Sequence, residues 1–216
     1  MDNKWWESNA PNVRSQWGTK WSTNQAMTDF KRLEQLFVCD WATVYVGWQG
    51  TGVYSPWPED WEMFPPLLTV DELYEFCERA VGWVEDESQV RIAELMEELC
   101  LAKCSRVSIL ASLANLARSC DGIVTDLELR KWRCARLMNI ITGSHASDVF
   151  TCAREIDETL VEFGSLGGAF ENIRCGVWSD DASVRYDEKQ CLARVMNCRE
   201  LLDAEIALVR KLQEVS

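Results

Sequence analysis

The residues best suited by type and spacing to do chemistry lie in the run SCDGIVTDLELRKWRCAR, from Ser119 to Arg136. Its first half has the form of the later part of a calcium loop. Such a loop needs oxygen ligands at its first, third and fifth places, glycine at the sixth and a bidentate glutamate at the twelfth. On this chain the fifth, sixth, eighth and twelfth places are Asp121, Gly122, Val124 and Glu128, but the first is Ala117 and the third is Ser119. Without the opening carboxylate no metal is expected. The same residues make a helix corner, in which Gly122 takes a left-handed conformation, Val124 packs inward, and Thr125 with Glu128 caps the next helix.

The second half of the run is the one dense basic cluster: Arg130, Lys131, Arg133 and Arg136. Arg130, Arg133 and Arg136 are three apart and share a helix face beside Trp132. On nucleic acid, the arginines would hold phosphates and the tryptophan would stack on a base. The competing reading is ion pairing within the fold or with an acidic partner chain, and it is favoured here. Residues 69–101 carry ten acidic side chains against two basic ones and are the expected internal counterpart.

Other reactive groups are thinly spread. Ten cysteines are present, and most fall on apolar helical faces, where a reduced thiol behaves as a small hydrophobe. Cys100 and Cys104 lie one helical turn apart and Cys191 and Cys198 two turns apart. A structural zinc site ordinarily joins two close pairs or adds histidines, and the chain has one histidine, His145, in the turn GSHASD. Ser144 and Ser147 beside it suit turn and cap roles. Adjacent acids such as Glu97-Glu98 and Asp157-Glu158 do not face each other on a helix. No phosphate-binding glycine loop or metal-binding histidine pair occurs. Neither catalysis nor a cofactor is expected.

Tryptophan is the remaining resource. Eight of the eleven lie in the first 61 residues. Trp41, Trp48 and Trp61 suit a core, whereas Trp5, Trp6, Trp17 and Trp21 sit in a polar segment that has no core of its own. Those four are expected either to wrap a groove of the helical body or to anchor another protein, as tryptophans at interfaces do. With Arg130, Trp132, Arg133 and Arg136 they form the candidate partner-binding set.

The elements that position these residues follow from periodicity and caps. Composition shifts at Pro65-Pro66, which divides a Trp- and Pro-rich N-terminal arm or subdomain, residues 1–66, from a helical bundle, residues 67–216. In the arm, Ser22-Thr23-Asn24-Gln25 predicts a helix over about residues 23–39. The run WATVYVGWQGTGVY, β-branched, aromatic and glycine-bearing, predicts a short strand or β-hairpin. Thr69 with Glu72 caps a helix; further helical faces follow at residues 88–103, 105–119, after the corner up to Gly143, and from Val149 to Phe163. The second and third of these helices are expected to run on with little interruption. The last helix runs from Asp187 to about Val215. One stripe of it is Val195, Cys198, Leu202, Val209 and Leu212, while Leu192, Met196, Leu201, Leu208 and Val215 lie elsewhere on its circumference, so it is central to a bundle or shared with another chain.

The expected fold is therefore mainly α, a bundle of six or seven helices with an irregular Trp-rich arm and one short β-hairpin. A net charge of −13, from 35 acidic and 22 basic residues, disfavours nucleic acid as a partner. No secretory signal and no window approaching the roughly 20 apolar residues of a membrane span is seen, so a cytoplasmic or otherwise intracellular protein is expected. The function expected is non-catalytic: binding a protein partner or assembling as a homo-oligomer, through the arm and the long C-terminal helix, as a virus-encoded structural protein or an accessory subunit would. Two alternatives come from other classes, an enzyme or ligand-binding bundle and a nucleic-acid binder using the Arg130–Arg136 face.

Overall fold

A computed structural model describes residues 27–51, 65–82, 86–101, 105–118, 125–143, 148–164, 166, 168–170 and 187–215. These residues form eight α-helices: α1 (Asp29–Leu36), α2 (Trp41–Gln49), α3 (Val70–Ala80), α4 (Asp86–Cys100), α5 (Arg106–Arg118), α6 (Thr125–Thr142), α7 (Val149–Phe163) and α8 (Glu188–Gln213). A short 3-10 turn, η1, spans Gly168–Phe170. No strand occurs among the described residues. No helix among them is long and apolar enough to cross a membrane.

Packing gathers the helices into two compact units: α2 to α5 in unit 1, and α1 with α6, α7, η1 and α8 in unit 2. The composition change at Pro65-Pro66 thus falls inside unit 1. Those prolines lead into a packed segment in which the Leu67 N–H donates to the Gly47 carbonyl at 2.7 Å and Leu68 is buried.

The hairpin expected around residues 41–54 is replaced, over its first nine residues, by α2. Two local causes and the surrounding packing override the β-branched propensity. Asp40 accepts the Thr43 N–H at 2.8 Å, and Thr43 Oγ1 in turn accepts the Asp40 N–H, which closes a capping box. Gly50, at φ 75°, ends the helix in a conformation that a Cβ disfavours. Eight of the nine residues are buried, so the continuous apolar run is a helix enclosed on all sides. Residues 52–54 lie outside the described residues.

Other elements follow their sequence signals more closely. The expected Thr69–Glu72 capping box is present: the Glu72 N–H donates to Thr69 Oγ1 at 3.2 Å, and the Thr69 N–H to Glu72 Oε2 at 2.7 Å. α4 and α5 are two distinct helices packed on one another, not one continued helix. Helix α1 begins later than expected, at Asp29, because Thr28 is its cap and accepts the Lys31 N–H; the Ser22–Gln25 box lies outside the described residues. Asp148, and not Ser147, caps α7, and Asp187 caps α8.

In unit 1, Trp41 meets Phe76 edge-on at 5.0 Å, and Trp48 is buried with its Nε1–H donating to the Arg106 carbonyl at 3.4 Å. Arg106 returns the contact by donating from Nη2 to the carbonyls of Trp48 and Gln49, which the end of α2 leaves without helical partners. In unit 2, α6 is central, with α1, α7 and α8 all packed against it. The ends of α1 and α8 are tied together, since Arg210 Nε donates to the Leu36 carbonyl and Gln213 Nε2 to the Val38 carbonyl.

Candidate functional site

The basic face of α6 is turned into unit 2. Spacings of three place Arg130, Arg133 and Arg136 on one side of the helix, and each meets acids carried by other elements. Glu205, on α8, is the hub of the first cluster. Its Oε1 accepts Arg130 Nε at 2.7 Å and Arg133 Nη2 at 2.9 Å, while its Oε2 accepts the backbone N–H of Ala169 in η1 at 2.7 Å. The side chain has no exposed surface. Arg133 lies over the Phe170 ring, 5.0 Å from its centre, an arrangement that pairs a cation with the negative ring face.

Gly168 is required by this arrangement. Its φ is 77°, and a Cβ would lie 2.6 Å from Arg130 Nη2 and in overlap with both Glu205 oxygens. The turn after α7 can therefore close onto the ion pair only at a residue without a side chain.

Arg136 is the hub of the second cluster. Its Nε donates to Asp29 Oδ2 of α1 at 2.9 Å and its Nη1 to Glu162 Oε2 of α7 at 2.6 Å; the guanidinium lies 5.2 Å from the centre of the Phe163 ring. Asn139, one turn on, donates to the other Asp29 oxygen and accepts from Arg32 Nε. Lys131 and Glu128 form a separate buried pair at 2.8 Å. Trp132, 1% exposed, stacks on Phe30 of α1 at 5.9 Å.

Electrostatics fix the protonation states. Burial pushes the Glu205 carboxyl upward, but the hydrogen bonds from Arg130 and the Ala169 amide, together with both guanidinium charges, outweigh it and hold the group below the usual carboxylate range. Burial lowers the Arg133 pKa, with Glu205 opposing the shift. For Arg136 burial also acts downward, yet Asp29 and Glu162 together raise it. A carboxylate held ionised, with both oxygens occupied, is a poor proton acceptor.

Five buried thiols are likewise shifted away from the thiolate form. Burial pushes Cys77, Cys134 and Cys198 up to about 12, and it is also the main cause of the upward shifts of Cys152 and Cys191. A nucleophilic or metal-binding thiolate needs the opposite environment. Among the described residues no group of three or more His, Cys, Asp or Glu side chains could hold a metal ion.

The structure thus gathers four of the sequence-predicted site residues, Arg130, Trp132, Arg133 and Arg136, but in the interior of unit 2. Their acidic counterparts are Glu205, Asp29 and Glu162 instead of the acid-rich stretch 69–101. Trp5, Trp6, Trp17, Trp21, His145 and the corner residues 119–124 lie outside the described residues. Glu128 accepts from Lys131 through Oε1, and the side chain of Thr125, its expected partner in the cap of α6, lies outside the described residues.

Sequence reasoning passed over Glu205 and Gly168. A signal for Glu205 existed: it shares the spacing of Cys198, Leu202 and Val209, the buried stripe of α8. An acid in a core register demands a buried cation. No family model matches the chain, and neither a curated protein nor a solved structure matches it.

Proposed function

We propose that the chain acts without catalysis, as a protein that binds protein and associates with copies of itself, with α8 as one of its binding elements. The observation that carries this reading is the distribution of exposed apolar side chains. Of the eleven large hydrophobic residues exposed among the described residues, five belong to α8 or follow it directly: Leu192, Met196, Leu208, Leu212 and Val215. Apolar side chains left exposed in this number on one helix support an interaction through it.

The charges of α6 support the same reading from the other side. Arg130, Arg133 and Arg136 each hold carboxylates within unit 2, so a nucleic-acid role for them would require those pairs to break. The Trp5, Trp6, Trp17 and Trp21 segment is the second proposed binding element, on composition alone.

The test is the mass of the full chain in solution across a wide concentration range, before and after deletion of residues 1–21. A mass rising above the 24.8 kDa of one chain supports the reading, and a fall on deletion assigns part of the association to the tryptophan segment. A chain that stays at 24.8 kDa throughout, with and without the segment, removes self-association.

A further inference from the structure

The outward side of α8 carries a pattern that the bundle does not use. Cys191, Cys198, Leu202, Glu205, Ile206 and Val209 face inward. At about 100° per residue, the opposite side runs through Met196, Glu200, Ala204, Ala207, Lys211 and Val215, at steps of three or four. All six are exposed, Met196 to 55% and Val215 to 81%, and Leu208 borders the row.

Two of the six are charged. Glu200 has only Met196, Asn197, Asp203 and Ala204 at helical neighbour positions, none of them basic. Among the described residues neither Glu200 nor Lys211 forms an ion pair.

We propose that this face is the docking surface for α8 of a second copy, antiparallel, about a two-fold axis passing between residues 205 and 206. This rests on the self-association reading above and gives it a register. Glu200 then faces Lys211 of the second copy, twice by symmetry; Ala204 faces Ala207, and Met196 faces Val215. The alanines at the crossing let the two backbones approach closely, and the apolar pair closes each end. A parallel, in-register arrangement would set Glu200 on Glu200 and Lys211 on Lys211, so charge selects the antiparallel one. The contact is isologous and closed, which gives a dimer and no further growth through this face.

Glu200 and Lys211 stand eleven residues apart on one helix, about 16 Å, beyond the reach of a zero-length carbodiimide cross-link within one chain. Full-length chains grown with and without nitrogen-15 are mixed and cross-linked, and their peptides are read by mass spectrometry. An isopeptide joining Glu200 of one isotope to Lys211 of the other is expected. In parallel, solution mass is measured for E200K, K211E and the double variant, with circular dichroism to verify that the helices are intact. Each single variant sets like charges together twice and weakens association about tenfold, whereas the double variant, and an equimolar mixture of the two singles, restores it. Association that ignores all three variants, or cross-links that join other positions, overturns this surface while leaving the self-association reading standing. A full chain that is monomeric at every concentration overturns both.

Discussion

Helices α2 and α6 are both buried over most of their length, yet they reach that state by opposite routes. α2, WATVYVGWQ, carries no charge; its polar demands are confined to its ends, where Asp40, Thr43 and Arg106 meet them. α6 carries Glu128, Arg130, Lys131, Arg133 and Arg136 into the interior of unit 2, and each is matched by a specific partner. The difference lies in what a single deletion costs. An apolar helix loses contacts when a side chain is cut back, whereas a charged one also strands its partner in a poorly solvated place.

The largest effect is therefore expected at Glu205. Glu205→Ala strands two guanidiniums and the Ala169 amide, and should destabilise unit 2 by about 3 to 5 kcal/mol in chemical denaturation. A loss below about 1 kcal/mol would mean that water replaces the carboxylate easily and would erase the contrast with α2. Titration removes the same charge by another route. The Glu205 pKa is depressed in the folded state, so its stabilisation is fully present above the ordinary value of 4.5 and is lost as pH falls through the lower folded value. The stability gap between the wild type and Glu205→Gln should therefore be constant near neutrality and shrink below pH 4.5. A gap that stays flat on acidification would sink the ionised-hub account.

Trp48→Ala is the counterpart in unit 1. It should cost about 3 kcal/mol through lost packing, since the indole N–H bond at 3.4 Å is long and contributes little. Unlike the Glu205 change, this loss should be insensitive to pH. The measurement is denaturation of the variant at two pH values; a loss below about 1 kcal/mol would show that the Arg106 hydrogen bonds to the Trp48 and Gln49 carbonyls, and not apolar burial, dominate the anchoring of α2.

What the sequence revealed follows the same divide. Elements whose signal is local were legible: the Thr69–Glu72 box and the Asp187 cap sit where the sequence puts them, and the expected stripe of α8 holds at Cys198, Leu202 and Val209, whereas Val195 is half-buried and Leu212 exposed. α2 was not, because Val44, Tyr45 and Val46 read as strand until the enclosing neighbours are known, and burial outweighs the few tenths of a kcal/mol per residue that β-branching costs a helix. At α6 the character of the face was legible and its partners were not. Arg130 and Glu205 are 75 residues apart and Arg136 and Asp29 are 107 apart. Counting acids near the cluster in sequence favours a dense stretch, whereas folding selects single acids by position. The outward charges of α8 are different again, since periodicity alone assigns Glu200 and Lys211 to one face.

Gly168→Ala probes how tightly the hub is enclosed. The left-handed backbone and the crowding against Glu205 and Arg130 should together cost about 2 kcal/mol. The Ala169 amide should lose its hydrogen bond to Glu205 and exchange its hydrogen faster. An unchanged exchange rate would show that η1 is only a linker resting on the bundle.

The smallest effect is expected at the start of α2. Asp40→Ala removes the acceptor for the Thr43 N–H and should cost about 1 kcal/mol, the usual value of a helix cap. If charge matters little in unit 1, Asp40→Asn, which keeps an acceptor and loses the charge, should recover most of that loss, as read by denaturation of the three proteins at neutral pH. Recovery by Asn separates capping geometry from charge. Failure to recover would mean that α2, too, depends on an ionised carboxylate, and the two helices would differ in the number of charges they bury and not in the kind of interaction that holds them.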